Sequence, residues 1–184
     1  MKKIGFFWGS TSDNTKIASE FIKEYLEAHD FNVDSYDIGD IDLEKILDYD
    51  SIIIGCPTWN IGELQSDWDN NFNDFSEIDF SNKTVALYGL GDQIVYCEYF
   101  VDGVGILGKQ ILEANGSLIG KWSTEGYLHT DSIAELEEGE FCGLALDEDT
   151  QEEMTAERIV TWCEQIYNEF TALEPALAKE SLEV

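Results

Sequence analysis

The chain has 184 residues, 43% of them hydrophobic and 12% aromatic, which suits one domain with a full core and excludes a disordered chain. Ten Lys+Arg against 39 Asp+Glu give a net charge of −29, a field that repels nucleic acid and anionic membranes and speeds encounter with basic protein surfaces in a salt-dependent way. No apolar run approaches the ~20 residues of a membrane span, and Cys56, Cys97, Cys142 and Cys163 form no CxxC pair and lie at no ligand spacing from a histidine, which argues against a metal site and for reduced thiols.

Lys3–Trp8 reads as a buried strand that ends in a Gly9-Ser10-Thr11-Ser12 loop. Its apolar part, Ile4–Trp8, is too short for a signal peptide, so a cytoplasmic location is expected, or an organelle stroma for a mature chain. Asn14 to His29 has helical spacing, with Ile17, Ala18, Phe21, Ile22, Tyr25 and Leu26 as its stripe. Asn32–Tyr36 is a second strand, and Asp42 can cap a short helix over Leu43–Leu47. The three isoleucines of Ser51–Gly55 predict a strand covered on both faces. Gln65–Phe75 reads as helix, Lys83–Gly89 as strand, Tyr99–Asn115 as helix and Ser117–Trp122 as strand. Residues 123–143 are aperiodic, Leu144–Leu146 is a strand fragment, and Thr155–Phe170 is a closing helix with Ile159, Trp162, Cys163, Ile166 and Tyr167 as its stripe. Residues 1–170 thus form a single domain, with 171–184 as a loose C-terminal tail.

Strand then helix, five times over, predicts a doubly wound α/β fold: a five-stranded parallel sheet with helices on both faces. Such a sheet binds its ligand at the carboxyl ends of the strands, where the loops after strands one, three and four meet. The first of these, Ser10-Thr11-Ser12-Asp13-Asn14-Thr15, offers hydroxyls and an amide at a helix N-terminus, suited to a phosphate or to plain helix capping. It has neither a GxGxxG fingerprint nor a Walker lysine, which argues against dinucleotides and nucleoside triphosphates. The second carries Trp59, and the third, from Gly89 to Tyr96, lets its glycines bring backbone close to a ligand while Tyr96 presents a flat face. Two aromatics from two loops can sandwich a planar ring.

Thr58-Trp59-Asn60-Ile61-Gly62-Glu63-Leu64-Gln65-Ser66-Asp67-Trp68 and Gly89-Leu90-Gly91-Asp92-Gln93 resemble the FMN loops of the long-chain flavodoxins. Trp122–Tyr127 and Gly143–Asp149 match that group as well, so the resemblance covers roughly residues 3–170. It implies the strand order 2-1-3-4-5, with stretch 123–143 as the long insertion that splits the fifth strand. It further implies that Ser10, Thr11, Ser12, Asp13, Asn14 and Thr15 hold the FMN phosphate. Trp59 and Tyr96 would stack on the two faces of the isoalloxazine. Thr58, with Asp149, would contact the ribityl chain, and backbone near Gly91, Asp92 and Tyr99 the pyrimidine edge. The Asn60-Ile61 peptide, beside Gly62, is where the family turns a carbonyl toward flavin N5. Two departures stand out: Asp13 occupies the glycine place of the family's T-x-T-G-x-T loop, and Val95 stands where a glycine is frequent. Aspartate tolerates positive φ better than most residues, and its carboxylate is expected to face solvent or cap the helix.

The function implied is that of a low-potential one-electron carrier, not an enzyme, which cycles FMN between semiquinone and hydroquinone in place of ferredoxin. Its implied partners are basic-surfaced redox proteins such as a ferredoxin-NADP reductase, photosystem I or other reductases and oxidases. It would work as a monomer, without nucleic acid or membrane insertion. The alternative is an FMN-dependent NAD(P)H or quinone oxidoreductase on the same fold. A phosphoacceptor signalling domain needs acidic residues at the ends of the first and third strands, where this chain has Trp8-Gly9-Ser10 and Gly55-Cys56-Pro57. Trp68, Trp122 and Trp162 are expected to pack, His29 and His129 to lie on the surface, and Asp147-Glu148-Asp149 to form a solvated acidic turn apart from Asp149's place near the ribityl.

Overall fold

The structure, a computed structural model, describes residues 2–180, with side chains through residue 172. The elements in chain order are β1 (Lys3–Trp8), α1 (Asn14–Ala28), β2 (Asn32–Asp37), a 3-10 turn (Leu43–Asp48), β3 (Ser51–Gly55), β4 (Thr58–Trp59), β5 (Glu63–Leu64), α2 (Ser66–Asn70) and α3 (Phe72–Ser76). They continue with β6 (Thr84–Leu90), α4 (Asp102–Glu113), β7 (Ser117–Ile119), β8 (Trp122–Ser123), β9 (Glu140–Phe141), β10 (Leu144–Leu146) and α5 (Thr155–Glu180).

The sheet is parallel in the order β2-β1-β3-β6, and the edge beyond β6 is shared by two short strands. β7 pairs with Thr84–Ala86 of β6, and β10 with Tyr88–Leu90. They are two halves of one fifth strand, interrupted by the chain between them, as the predicted order 2-1-3-4-5 and its insertion require.

Side chains alternate across the sheet, as the two-residue period of a strand dictates. Ile4, Phe6, Ile53, Ala86, Tyr88, Leu144 and Leu146 face a core closed by α1 and α5. Phe7, Ile52, Ile54, Val85, Leu87 and Ala145 face the other core, closed by Trp68, Phe75, Val104, Leu107 and Ile111. Every residue of β3 is buried, as expected of the central strand. Trp68 and Trp162 are fully buried, each donating its indole N–H to a backbone carbonyl: Gly55 at 3.0 Å and Gly120 at 2.8 Å.

The differences from the predicted elements have local causes. The buried stripe of α1 is Thr15, Ala18, Ser19, Ile22 and Leu26, while Ile17 and Phe21 turn outward. The expected helix 65–75 breaks at Asn71, whose ψ of 3° leaves the helical region, into α2 and α3. α4 starts at Asp102, three residues after the predicted Tyr99, because Val101 sits at a left-handed φ of 51° and stops the helix there. The strand from Ser117 ends at Ile119: Gly120 has φ +72°, and Trp122 pairs in a separate ribbon with Phe141. α5 runs past Phe170 to Glu180, so most of the expected tail is helix; residues 181–184 lie outside the described residues. His129 is no surface residue. Its side chain is 9% exposed and packs on Phe100 and Phe141, whereas His29 is exposed.

Candidate functional site

The loops after β1, β3 and β6 and the turn after β10 enclose a cleft of about 330 Å³ at the carboxyl ends of the strands. Ser12, Asn14, Thr15, Thr58, Trp59, Asn60, Gly91, Asp92, Tyr96 and Asp149, ten of the sixteen residues named from the sequence, line it. Pro57, Leu90 and Glu148 line it too and were not singled out. Each is a chain neighbour of a named residue, and that adjacency was the only signal. Ser10, Thr11, Asp13, Ile61, Gly62 and Tyr99 flank the cleft in sequence and are not among its lining residues.

The first loop presents unsatisfied hydrogen-bonding groups. The backbone N–H groups from Ser10 to Thr15 find no acceptor among the described residues, and the Ser10 hydroxyl oxygen is buried with no hydrogen-bond partner. A buried hydroxyl left without a partner is costly, so a ligand that engages Ser10 is the economical explanation. No lysine or arginine lines the cleft among the described residues, so an anion there would meet backbone and hydroxyl dipoles rather than a positive side chain.

Asp13 takes the left-handed conformation of the replaced glycine, with φ 66°, and its carbonyl accepts from the Ile17 N–H at 2.8 Å to start α1. Its side chain is exposed and makes no cap hydrogen bond. Of the two expected roles, only the solvent-facing one is present. Asp13→Gly should therefore change the affinity for a phosphate-bearing ligand by less than about threefold, as exposed charges in salt contribute little. Isothermal titration of both proteins measures it, and a gain of tenfold or more would place the carboxylate against the phosphate.

The second loop is a tight hairpin. Thr58 pairs with Leu64 and Trp59 with Glu63; Asn60 at φ 46° and Gly62 at φ +85° make its turn. The Asn60 amide donates to Glu63 at 2.5 Å, and the Thr58 hydroxyl accepts from the Gly103 N–H at 2.9 Å. Behind the turn lies Asp102, 5% exposed. One of its oxygens accepts from the Ile133 N–H at 2.9 Å, and the other lies 2.7 Å from where a Gly62 side chain would begin. Burial raises its pKa above the ordinary aspartate value, the Ile133 N–H opposes this, and the nearby Asp131 adds to it. Tyr99 packs against Gly62 from the same side.

The third loop is held by two aspartates. Asp92 accepts from the N–H groups of Ile94 and Val95, both at 2.8 Å, which fixes the turn that presents Tyr96. Asp147 is fully buried, contrary to the solvated turn expected for it. Its carboxylate accepts from the Gln93 N–H (3.1 Å) and side-chain amide (2.8 Å), the Thr150 hydroxyl (2.5 Å) and N–H (2.8 Å), and the Asp149 N–H (3.0 Å). Burial alone would raise its pKa, but these donors outweigh it and hold the carboxyl below the usual aspartate range. Asp149, two residues on and lining the cleft, has the opposite fate: burial first, then the charges of Asp92 and Asp147, push its carboxyl up.

Trp59 and Tyr96 line the same cleft, 37% and 43% exposed, and neither ring packs on another aromatic among the described residues. Unpartnered rings on two loops, glycine backbone between them, an unsatisfied donor nest at one end and carboxylates at the rim suit a flat polar heterocycle carrying a phosphate. The four cysteines are all unpaired, and burial pushes the Cys56 thiol, at the root of the second loop, up to about 12.

The chain matches the family model described as Flavodoxin over residues 6–162. It is 45% identical over 166 residues to a flavodoxin of Picosynechococcus sp., covering 90% of this chain and 96% of that protein. A flavodoxin of Haemophilus influenzae is 43% identical over 177 residues, covering 96% of this chain and all of its own length. Among solved structures, the crystal structure of Fusobacterium nucleatum flavodoxin bound to flavin mononucleotide superposes with a TM-score of 0.84 at 33% identity, covering 92% of this chain and 99% of that one. With the sheet order, the split fifth strand and the three-loop cleft, these likenesses establish that the chain belongs to the flavodoxin family.

Proposed function

We propose that the protein binds one FMN in this cleft and carries single electrons at low potential between larger redox proteins. The observation that carries the reading is the pairing, in one cleft, of an unsatisfied donor nest at residues 10–15 with two unpartnered aromatic faces. The Ser10 hydroxyl and the N–H groups through Thr15 would hold the phosphate. Thr58 and Asp149 would face the ribityl, Trp59 and Tyr96 the two ring faces, and backbone at Gly91 and Asp92 the polar ring edge. The Asn60-Ile61 carbonyl would hold a proton at N5, with Gly62 giving the turn its freedom.

The flavin supplies the electron chemistry when bound, and no side chain is needed as acid, base or nucleophile. The residues set the energy. Asp92, Glu148 and Asp149 line the cleft within a field of −29 and disfavour added negative charge there, which drives the last electron to low potential. Exposed Ile61, Ile94 and Val95 on the two ring-bearing loops give a partner an apolar contact within that acidic surround, so the partner surface is basic with an apolar centre. Replacement of ferredoxin opposite a reductase or photosystem, and action as a monomer, belong to this reading.

Purified protein should show flavin absorption with strongly quenched fluorescence, and a potentiometric titration should resolve two one-electron steps, the second well below the first. A single two-electron step, or steady oxidation of NADH by the protein alone, would replace this reading with the oxidoreductase one.

A further inference from the structure

Gln65 is not among the residues lining the cleft; it directly follows the hairpin that carries Trp59 and is 1% exposed. Its side-chain oxygen accepts from the N–H groups of Asp67 (3.1 Å) and Trp68 (3.4 Å), the first turn of α2. Two backbone donors fix which end of the amide is oxygen, so the NH2 group must face the other way. There its two hydrogens are shared among Asp67 Oδ2 at 2.7 Å, Ser66 Oγ at 3.4 Å and, 54 residues back along the chain, Thr11 Oγ1 at 3.2 Å. The same amide is pressed against the root of the first loop: a side chain on Gly9 would begin 2.5 Å from Gln65 Oε1 and 3.0 Å from the Trp68 ring.

The Thr11 side chain is exposed and not among the residues lining the cleft, so the amide holds the loop from outside the cleft while the loop's own N–H groups stay unsatisfied. We propose that Gln65 is a positioning residue for the phosphate cradle: its buried amide clamps the first loop at Gly9 and at the Thr11 hydroxyl, which fixes the direction of the N–H groups of residues 10–15 toward the anion. Phosphate recognition is thereby tied to the hairpin that carries the ring-facing Trp59. The proposal rests on the reading of residues 10–15 as the phosphate site.

The test compares FMN with riboflavin, which lacks the phosphate, by fluorescence-quenching titration of the full chain stripped of flavin. Gln65→Met and Thr11→Val should each weaken FMN binding about tenfold, as the loop's N–H groups lose their fixed direction, and riboflavin binding less than twofold. The double variant should bind FMN no worse than the weaker single one. Equal losses for both flavins would make Gln65 a mere cap of α2, and additive losses would uncouple it from Thr11; either overturns the proposal. If Gln65→Met does not fold, the side-chain amide resonances of Gln65 in unsubstituted, isotope-labelled protein decide. They should shift between the riboflavin-loaded and FMN-loaded forms, and unmoved resonances overturn the proposal. A chain that binds riboflavin as tightly as FMN removes the cradle reading itself. An FMN preference that survives both substitutions removes only the role of Gln65.

Discussion

Asp147→Ala should cost about 3–5 kcal/mol of stability at neutral pH, because it strips the acceptor from five donors at once. Two of them belong to Gln93, whose side-chain oxygen in turn accepts from the Leu128 N–H at 2.7 Å. The third loop, the turn after β10 and the insertion all hang on this one carboxylate. FMN affinity should fall at least tenfold along with stability, since Tyr96 loses its support. The carboxyl's pKa is held low in the folded protein, so the stability it provides is present above the unfolded value of 3.8 and lost as pH falls through the folded one. The gap between variant and parent, measured by chemical denaturation, should therefore close in acid. Asp149→Asn is the internal control. Its carboxyl is pushed up by burial and neighbouring charge, so neutralising it should leave stability at pH 7 unchanged or improved. Equal losses for the two variants would mean that the buried network is not what holds the loops.

Gly62→Ala carries the second large effect. A left-handed φ of +85° costs a non-glycine residue about 1 kcal/mol. The added carbon would also lie 2.7 Å from the buried carboxylate of Asp102 and 3.2 Å from the Tyr99 ring, and Asp102 cannot swing away without abandoning the Ile133 N–H. The hairpin must move instead, taking Asn60 and Trp59 with it. Strain and collision together should cost about 2–4 kcal/mol and weaken FMN binding severalfold. Gly126→Ala separates the two causes, because Gly126 has φ +89° and nothing within 4 Å of an added carbon. It should lose only the strain, and no FMN affinity. Matching losses at the two glycines, read by denaturation and flavin titration, would remove the argument from Asp102.

The contrast between these positions shows what a sequence can and cannot convey. The central strands were legible because a strand's period writes its burial into the residues, as in Ser51–Gly55. The three loops were legible because topology fixes where they meet. Asp147 was not: in Asp147-Glu148-Asp149 three acidic residues look alike, and what separates them is Gln93, 54 residues away, which reaches the first of them. Gln65 was opaque for the same reason, since its partner Thr11 is equally distant in the chain. His129 sits in an aperiodic stretch, where no pattern signals that Phe100 and Phe141 enclose it. The early end of the strand at Ile119 and the late start of α4 follow from single left-handed residues, Gly120 and Val101. Propensity permits the first, and for the β-branched second gives no warning.

The division of the fifth strand has a further consequence, for how the molecule avoids its own kind. A sheet edge is a template on which another chain can polymerise, and a long apolar edge invites it. Here that edge is two segments of three residues each, with the chain departing after one and returning before the other. The opposite edge, β2, carries Asp34 and Asp37, and Asp34 is engaged by Lys3 at 2.9 Å. The divided border offers no continuous rail for a foreign strand. The interruption that supports the third loop thus also shortens the edge on which another chain could pair.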